Sequence, residues 1–126
     1  MPEQTKVLIV EDDKFLSELI STKLDKEGFS IALAGDGETG VKKASEFRPD
    51  IILLDIMLPG MDGFEVLEKL KNGADAALKA IPVIILSNFG QESKVERGLQ
   101  LGAVDYLVKA NFTTGEIVAK IKEVLK

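Results

Sequence analysis

The chain has 126 residues, of which 45% are hydrophobic and 29% charged, a composition typical of one ordinary globular domain. Its net charge of −5 argues against nucleic acid as a direct ligand. The absence of cysteine and histidine excludes disulfides, thiolate or imidazole metal sites and imidazole catalysis, which leaves carboxylates, hydroxyls and lysines for any chemistry. Residues 1–6 lack the apolar core of a signal peptide and no run approaches the ~20 apolar residues of a membrane span. We therefore expect one cytoplasmic domain over residues 1–126.

Strand and helix patterns alternate along the chain. Short apolar runs rich in β-branched residues predict strands over residues 6–10, 30–34, 51–54, 83–86 and 104–108. Between and after them, apolar residues with a period of 3.6 predict helices that begin near Asp13, Asp36, Asp62, Gln91 and Thr113. Residues 74–81 read as a connection, with one helical turn as an option. Five such strand–helix units with short right-handed connections predict a doubly wound α/β fold, a parallel sheet with helices on both faces.

Apolar periodicity also assigns the buried face of each terminal helix. In the first helix it predicts that the inward-facing residues are Phe15, Leu16, Leu19, Ile20 and Leu24. In the last helix it predicts that they are Ile117, Val118, Ile121, Val124 and Leu125. Asp62 with Glu65, and Thr113 with Glu116, have the spacing of capping boxes, which fixes where the third and last helices begin.

Asp55 follows the most apolar strand of the chain, residues 51–54, which reads as a strand buried on both faces. In an open α/β sheet, ligands bind outside the carboxyl ends of the strands, so an acid there is a reactive group or an ion ligand. The alternative is that Asp55 merely caps the next turn, since turns favour aspartate.

Further polar side chains follow the other predicted strands. Glu11 and Asp12 follow the first, Ser87 the fourth and Lys109 the fifth, so all converge with Asp55 on one edge of the sheet. Clustered carboxylates repel one another unless a cation joins them, and hard oxygen ligands suit Mg²⁺. Taken singly, each residue has an ordinary alternative: a helix N-cap for Glu11 and Asp12, a turn hydroxyl for Ser87 and a solvated charge for Lys109.

The chain resembles the receiver domain of two-component response regulators over nearly its whole length. The resemblance is carried, in order, by residues 7–13, 49–63, 84–87 and 106–109. The resemblance implies a flavodoxin-like five-stranded sheet of order 2-1-3-4-5. It further implies a role for each matching position: Asp55 is the phosphoacceptor, Asp12 a direct Mg²⁺ ligand, Glu11 a ligand through water, Met57 a ligand through its backbone carbonyl, Ser87 the switch hydroxyl, Tyr106 the switch aromatic and Lys109 the cation that meets the phosphoryl group.

The same resemblance implies a signalling domain rather than an enzyme, one that assists its own phosphorylation and dephosphorylation. The donor would be a phosphohistidine on a sensor histidine kinase or phosphotransfer protein, with Mg²⁺, or alternatively Mn²⁺, as the cofactor. Phosphorylation would let Ser87 move and Tyr106 turn inward, which changes the surface of the fourth helix, fifth strand and fifth helix. The output would be a protein target or a fused domain, with no direct contact to nucleic acid or membrane, and a homodimer on phosphorylation is one option.

Two further expectations concern positions near the site. Met57 lies two residues beyond Asp55, and Phe89 lies two residues beyond Ser87. In receiver domains the side chains at these two positions flank the path of the hydrolytic water, so the bulk of Met57 and Phe89 predicts slow dephosphorylation. Receivers commonly place proline, across a cis peptide, after the final lysine, but here Ala110 follows Lys109. We expect a trans bond there because cis costs about 2.5–4 kcal/mol before a non-proline residue. Residues 110–113 would then be rerouted so that Lys109 still reaches Asp55.

Two rival functions stay open. The segment Gly35-Asp36-Gly37-Glu38-Thr39-Gly40 fits the dinucleotide-binding pattern G-x-G-x-x-G after a strand and before a helix. Against that reading, Asp36 and Glu38 would put negative charge beside a pyrophosphate, and the chain lacks room for a second half and a substrate domain. The other rival is a receiver-like interaction module that is never phosphorylated, which the intact set of site residues disfavours.

Overall fold

The computed structural model describes residues 4–126 as a five-stranded parallel sheet with strand order β2-β1-β3-β4-β5. The strands are β1 (Lys6–Val10), β2 (Ser30–Ala34), β3 (Ile51–Leu54), β4 (Val83–Ser87) and β5 (Asp105–Val108). The predicted α/β fold class and the implied strand order are both confirmed. No helix within residues 4–126 is long and apolar enough to cross a bilayer.

Six α-helices cover the faces of the sheet in the described part of the chain. They are α1 (Lys14–Lys26), α2 (Gly37–Phe47), α3 (Gly63–Asn72), α4 (Ala76–Ala80), α5 (Glu92–Gln100) and α6 (Thr114–Val124). The optional helical turn is present as the short α4, so the predicted fourth and fifth helices are α5 and α6. The capping box of Thr113 and Glu116 forms as expected at the start of α6, and Asp62 accepts the Glu65 N–H at the start of α3.

Two apolar layers, one on each face of the sheet, form the core. Every residue of β3 and β4 is buried, as the unbroken apolar runs indicate for strands covered on both faces. On one face α2 and α3 contribute Ala44, Val66 and Leu67, and on the other α1 and α6 contribute Ile20 and Ile121. The carboxyl ends of the strands are thereby held together at one edge of a rigid platform.

The inward face predicted for α1 is partly wrong. Ile20 and Leu24 are buried, but Phe15 is 72% exposed and Leu19 is 44% exposed. Ser17 is buried instead, because residues three and four apart share one face of a helix and the buried stripe passes through positions 17, 20 and 24. Phe15 and Leu19 lie to one side of that stripe, in a shallow groove beside Thr114 at the start of α6.

The G-x-G-x-x-G segment serves packing rather than phosphate binding. A Cβ on Gly37 would lie 2.3 Å from the Met61 backbone oxygen, and one on Gly40 would lie 2.9 Å from a Val10 methyl group. The space that a pyrophosphate would need beside Gly37 is filled by the chain that leads into α3. Asp36 caps α2 by accepting the Thr39 N–H at 2.7 Å, so the segment is accounted for as the start of a closely packed helix.

Candidate functional site

Three carboxylates meet at the carboxyl edge of the sheet. Glu11 and Asp12 follow β1 and Asp55 follows β3, and one oxygen from each lies within 4.8 Å of the others. Asp55 is 3% exposed and Glu11 is 5% exposed, whereas Asp12 is open to solvent. The site is therefore a pair of buried acids with a third acid at its mouth, as the convergence of the strand ends predicted.

The Glu11 and Asp55 carboxylates are anchored by nearby donors. The Asp13 N–H donates to Glu11 at 3.1 Å, and the Met57 N–H donates to Asp55 at 3.3 Å. The Lys109 ammonium lies 2.9 Å from the other Glu11 oxygen and 3.3 Å from the other Asp55 oxygen. Both oxygens of Glu11 are thus engaged within the protein, while Asp12 is left facing outward.

Lys109 reaches these acids from a chain path without a cis peptide. No cis bond occurs within residues 4–126, so the expected trans bond before Ala110 is present. Lys109 begins a short 3-10 turn, Lys109–Asn111, that carries the chain from β5 towards Thr113 and α6. The predicted rerouting keeps the ammonium in contact with Asp55.

One cation shared by two buried carboxylates leaves excess negative charge. Burial, opposed by the Lys109 hydrogen bond and reinforced by the Asp55 charge, raises the pKa of Glu11 from 4.5 to about 7. Burial by itself would lower the pKa of Lys109, but its bonds to Glu11 and the charges of both acids outweigh that effect and raise it. Lys109 therefore stays charged, whereas Glu11, mainly because it is buried, holds its proton to a higher pH than an ordinary carboxyl group. A divalent cation held by oxygen ligands fits this arrangement.

The predicted switch residues are connected through the backbone of Phe89. The Ser87 hydroxyl, fully buried at the end of β4, accepts the Phe89 N–H at 3.0 Å. The Tyr106 hydroxyl donates to the Phe89 carbonyl at 2.6 Å. Ser87 and Tyr106 thus contact the N–H and the carbonyl of the same residue, and displacement of the Ser87 hydroxyl would disturb the partner of Tyr106.

The Tyr106 ring lies inward and is only 9% exposed, while its role as the switch aromatic on phosphorylation stays a prediction. Gly98 in the middle of α5 makes room for the ring. A Cβ there would lie 2.6 Å from the Ile85 Cδ1 atom and 3.2 Å from the Tyr106 Cδ2 atom, so the missing side chain makes the space that the ring occupies.

A groove beside the acidic cluster contains cations that the sequence analysis did not single out. It runs between the β3–α3 loop and α5, and its lining includes Asp12, Met57, Phe64, Lys94 and Arg97. The Arg97 guanidinium carbon lies 4.4 Å from the centre of the Phe64 ring, and the Lys94 nitrogen lies 5.3 Å from that of Phe89. The spacing of residues 94 and 97 on one helical face was the available signal, but only the tertiary fold turns that face towards Asp12.

A family model of the response regulator receiver domain matches residues 7–122 of the chain. The chain belongs to the response regulator receiver family. This receiver domain is 38% identical over 126 residues to the transcriptional regulatory protein CseB of Streptomyces coelicolor, an alignment that covers 100% of the chain and 51% of CseB. The receiver thus spans about half the length of that curated relative.

Solved structures give the same result. The receiver superposes on the chemotaxis protein CheY4 of Vibrio cholerae with a TM-score of 0.88 and 28% identity, covering 98% of this chain and 100% of that one. It is similarly close to a chain of the CheX–CheY–BeF3–Mg complex of Borrelia burgdorferi, with a TM-score of 0.86 and 31% identity over 97% and 90% of the two chains. The receiver fold and its place in two-component signalling are therefore shown.

Proposed function

We propose that this receiver accepts a phosphoryl group on Asp55 from a phosphohistidine of a sensor histidine kinase or phosphotransfer protein. The observation that carries the proposal is the contact of the Lys109 ammonium with an Asp55 oxygen, 3.3 Å away, inside a cluster of three carboxylates. A carboxylate oxygen attacking phosphorus in line needs positioning and positive charge around the transferred oxygens more than it needs acid–base chemistry. Lys109 provides a fixed positive charge at the nucleophile.

Glu11, Asp12 and Asp55 form a donor set suited to Mg²⁺, with Mn²⁺ as an alternative. Hard carboxylate oxygens favour such ions, and a divalent cation would offset the negative charge of the three clustered acids. In this proposal Asp12 and Asp55 bind directly, the Met57 backbone carbonyl adds a ligand, and Glu11 acts through water, as the resemblance to receiver domains implies. When bound, the ion supplies charge that stabilises the phosphoryl oxygens.

The remaining residues would shape the transfer and its readout. The Ser87 hydroxyl, which accepts the Phe89 N–H, moves to donate its own proton to a phosphoryl oxygen. This frees the Phe89 backbone and alters the contact of Tyr106 with the Phe89 carbonyl. The surface of α5, β5 and α6 changes in consequence and presents a new face to a protein target, a fused output domain or a second copy of the chain. Met57, 57% exposed beside the site, and the half-buried Phe89 offer no group that orients water, so the acyl phosphate decays slowly.

The direct test is phosphorylation of the purified chain. With Mg²⁺ and a phosphorylated kinase or a small phosphoryl donor, we expect one acid-labile phosphoryl group by intact-protein mass spectrometry. Asp55→Asn removes the nucleophile and should abolish the mass increase while the fold is kept, and Asp25→Asn, an exposed acid on α1, serves as the matched control. Persistent incorporation in Asp55→Asn would refute the assignment.

Two alternatives are separated by simple measurements. A receiver-like module that is never phosphorylated would fail to bind beryllofluoride in the presence of Mg²⁺, whereas the proposed function requires that binding. A nucleotide-binding domain would change the fluorescence of added NADH, and the filled space beside Gly37 speaks against that outcome. A cytoplasmic location, where kinase and target would meet it, forms part of the same proposal.

A further inference from the structure

Met57 is an exposed side chain at the mouth of the Asp55 site. Its backbone N–H donates to an Asp55 oxygen at 3.3 Å, which fixes the residue beside the carboxylate, yet its side chain is 57% exposed. Met57 also lines the groove of about 460 Å³ between the β3–α3 loop and α5, together with Asp12 of the acidic cluster. A side chain that ends in a thioether is therefore open to dissolved molecules at the place where solvent reaches Asp55.

Composition and burial make Met57 the side chain most open to oxidation by peroxides. The chain has three methionines and no cysteine, so no thiol competes for an oxidant. Met57 and Met61 are the two methionines within the described residues 4–126. Met61 is only partly exposed and packs against the core layer beneath α2 and α3, close to Gly37. Because a peroxide must reach the sulfur atom, exposure favours oxidation of Met57 over Met61.

Oxidation changes what the Met57 side chain offers to water. A thioether is a weak hydrogen-bond acceptor, whereas methionine sulfoxide is polar and its oxygen accepts hydrogen bonds well. Asp55 is 3% exposed and lies on the buried side of the site, so water that attacks a phosphoryl group on it must approach in line from the solvent side. Met57 lies on that side. A sulfoxide there supplies the water-orienting group that the apolar thioether lacks.

We infer that Met57 is an oxidation site through which hydroperoxides shorten the life of the phosphoryl group on Asp55. The Met57 sulfur atom attacks the outer oxygen of the hydroperoxide, the O–O bond breaks, and a sulfoxide and water or an alcohol form, so sulfur is oxidised and the peroxide is reduced. In the later hydrolysis a water oxygen bonds to phosphorus, and the Asp55 carboxylate leaves with the electron pair of the broken P–O bond. Sulfoxide reductases restore the thioether, which makes the change reversible. This inference rests on the proposed phosphorylation of Asp55.

The test measures the position of oxidation and the phosphoryl lifetime separately. The purified chain is treated with hydrogen peroxide, the peroxide is removed with catalase, and peptide mass spectrometry follows the added oxygen at each methionine. We expect Met57 to be oxidised several times faster than Met61. The oxidised and untreated chains are then phosphorylated with acetyl phosphate and freed of it, and intact-protein mass spectrometry follows the decay of the phosphoryl group with Mg²⁺. We expect oxidation to speed this decay about three- to tenfold, the scale of one added hydrogen bond.

Substitutions separate the Met57 sulfoxide from other effects of peroxide. Met57→Leu keeps an apolar side chain that peroxide does not oxidise, so its phosphoryl group should decay at the same rate before and after treatment. Met61→Leu keeps Met57 and should respond to peroxide as the wild type does. Met57→Gln places a polar amide at the same position and should speed the decay without peroxide.

Three results would overturn the inference in a chain that takes up phosphate. They are oxidation of Met61 that matches or precedes that of Met57, a decay rate that the Met57 sulfoxide leaves unchanged, and an equal acceleration by peroxide in Met57→Leu. If the untreated wild type accepts no phosphoryl group and binds no beryllofluoride, the proposed function itself fails, and the inference about its lifetime fails with it.

Discussion

Glu11 is a buried carboxylate whose charge the fold does not fully compensate. Its pKa of about 7 lies above the ordinary value of 4.5, so between those two pH values the folded chain keeps a proton that the unfolded chain has lost. The contribution of Glu11 to the free energy of unfolding therefore falls as pH rises from 4.5 to 7 and stays at its lower level above that window. Urea unfolding in metal-free buffer across this range measures the effect.

Glu11→Gln is the matched control, because an amide of the same shape does not titrate. The difference in stability between wild type and Glu11→Gln should move against the wild type as pH rises. A difference that is flat, or that moves in favour of the wild type, would show that the Glu11 pKa is not raised.

Asp55 adds to the repulsion at the same site. The Asp55 charge is one of the causes of the raised Glu11 pKa, so Asp55→Asn should relieve it and raise the free energy of unfolding by on the order of 1 kcal/mol in metal-free buffer at neutral pH. Loss of the Lys109 contact offsets part of this gain. Urea unfolding with EDTA checks the sign, with Asp25→Asn as an exposed control expected to change little. Destabilisation by Asp55→Asn would mean that the lysine contact outweighs the repulsion.

At the scale of elements, the packing of α5 on β4 and β5 depends on the absence of a side chain at position 98. Gly98→Ala gains about 1 kcal/mol in helix propensity, but its methyl group would meet Ile85 at 2.6 Å and the Tyr106 ring at 3.2 Å. Overpacking of a core typically costs about 1–3 kcal/mol, so we expect net destabilisation and an outward shift of Tyr106. Tyr106 is the only tyrosine and the chain has no tryptophan, so iodide quenching of the intrinsic fluorescence reports this shift directly.

Gly115 on α6 provides the control for that experiment. A Cβ there would come no closer than 3.5 Å to Lys23, an ordinary contact, so Gly115→Ala should gain the helix propensity without the clash. We expect it to be stabilising and to leave tyrosine quenching as in the wild type. Equal quenching in the Gly98→Ala protein would show that the ring tolerates the methyl group.

For the whole molecule, Mg²⁺ binding should be visible as thermal stability. A ligand that binds only the folded state at about 100 times its Kd adds about 2.7 kcal/mol, which for a domain of this size raises Tm by roughly 10 °C. Asp12→Ala should remove most of this increase because the exposed Asp12 carboxylate is available to the ion. Glu11→Gln should remove much less, since the Glu11 oxygens are already held by Asp13 and Lys109. Equal losses in the two variants would contradict the distinction between direct and water-mediated ligands.

The sequence predicted the sheet closely because its strands are governed by burial on both faces. The apolar runs at 6–10, 30–34 and 51–54 coincide with β1, β2 and β3, and the ends of β4 and β5 differ by one residue. Apolar periodicity was less informative for α1. Phe15 and Leu19 fit the periodic pattern, but they lie outside the stripe of residues that is buried in the structure. A helical pattern shows which residues share a face, and only the neighbouring elements decide how wide the buried face is.

Some residues of the candidate site could likewise be predicted from the sequence, and others could not. The carboxylates and Lys109 were predictable because each follows a strand, and parallel strands end at one edge. Lys94, Arg97 and Gly98 were not, because their roles depend on how α5 turns against β4, β5 and the β3–α3 loop. The packing of the Tyr106 ring against Gly98 was unpredictable for the same reason: a glycine inside a helix does not indicate from sequence which side chain will fill its space.

Gly98 is the only buried residue among the nine described residues of α5, whereas all five residues of β4 are buried. Little apolar surface thus opposes detachment of this helix, and its amides should exchange with deuterium through local openings far below the free energy of global unfolding. Exchange in β4 should instead require unfolding of the whole domain. The segment proposed to carry the signal is then one that already samples detached states, and a phosphoryl group on Asp55 need only change how often it does so.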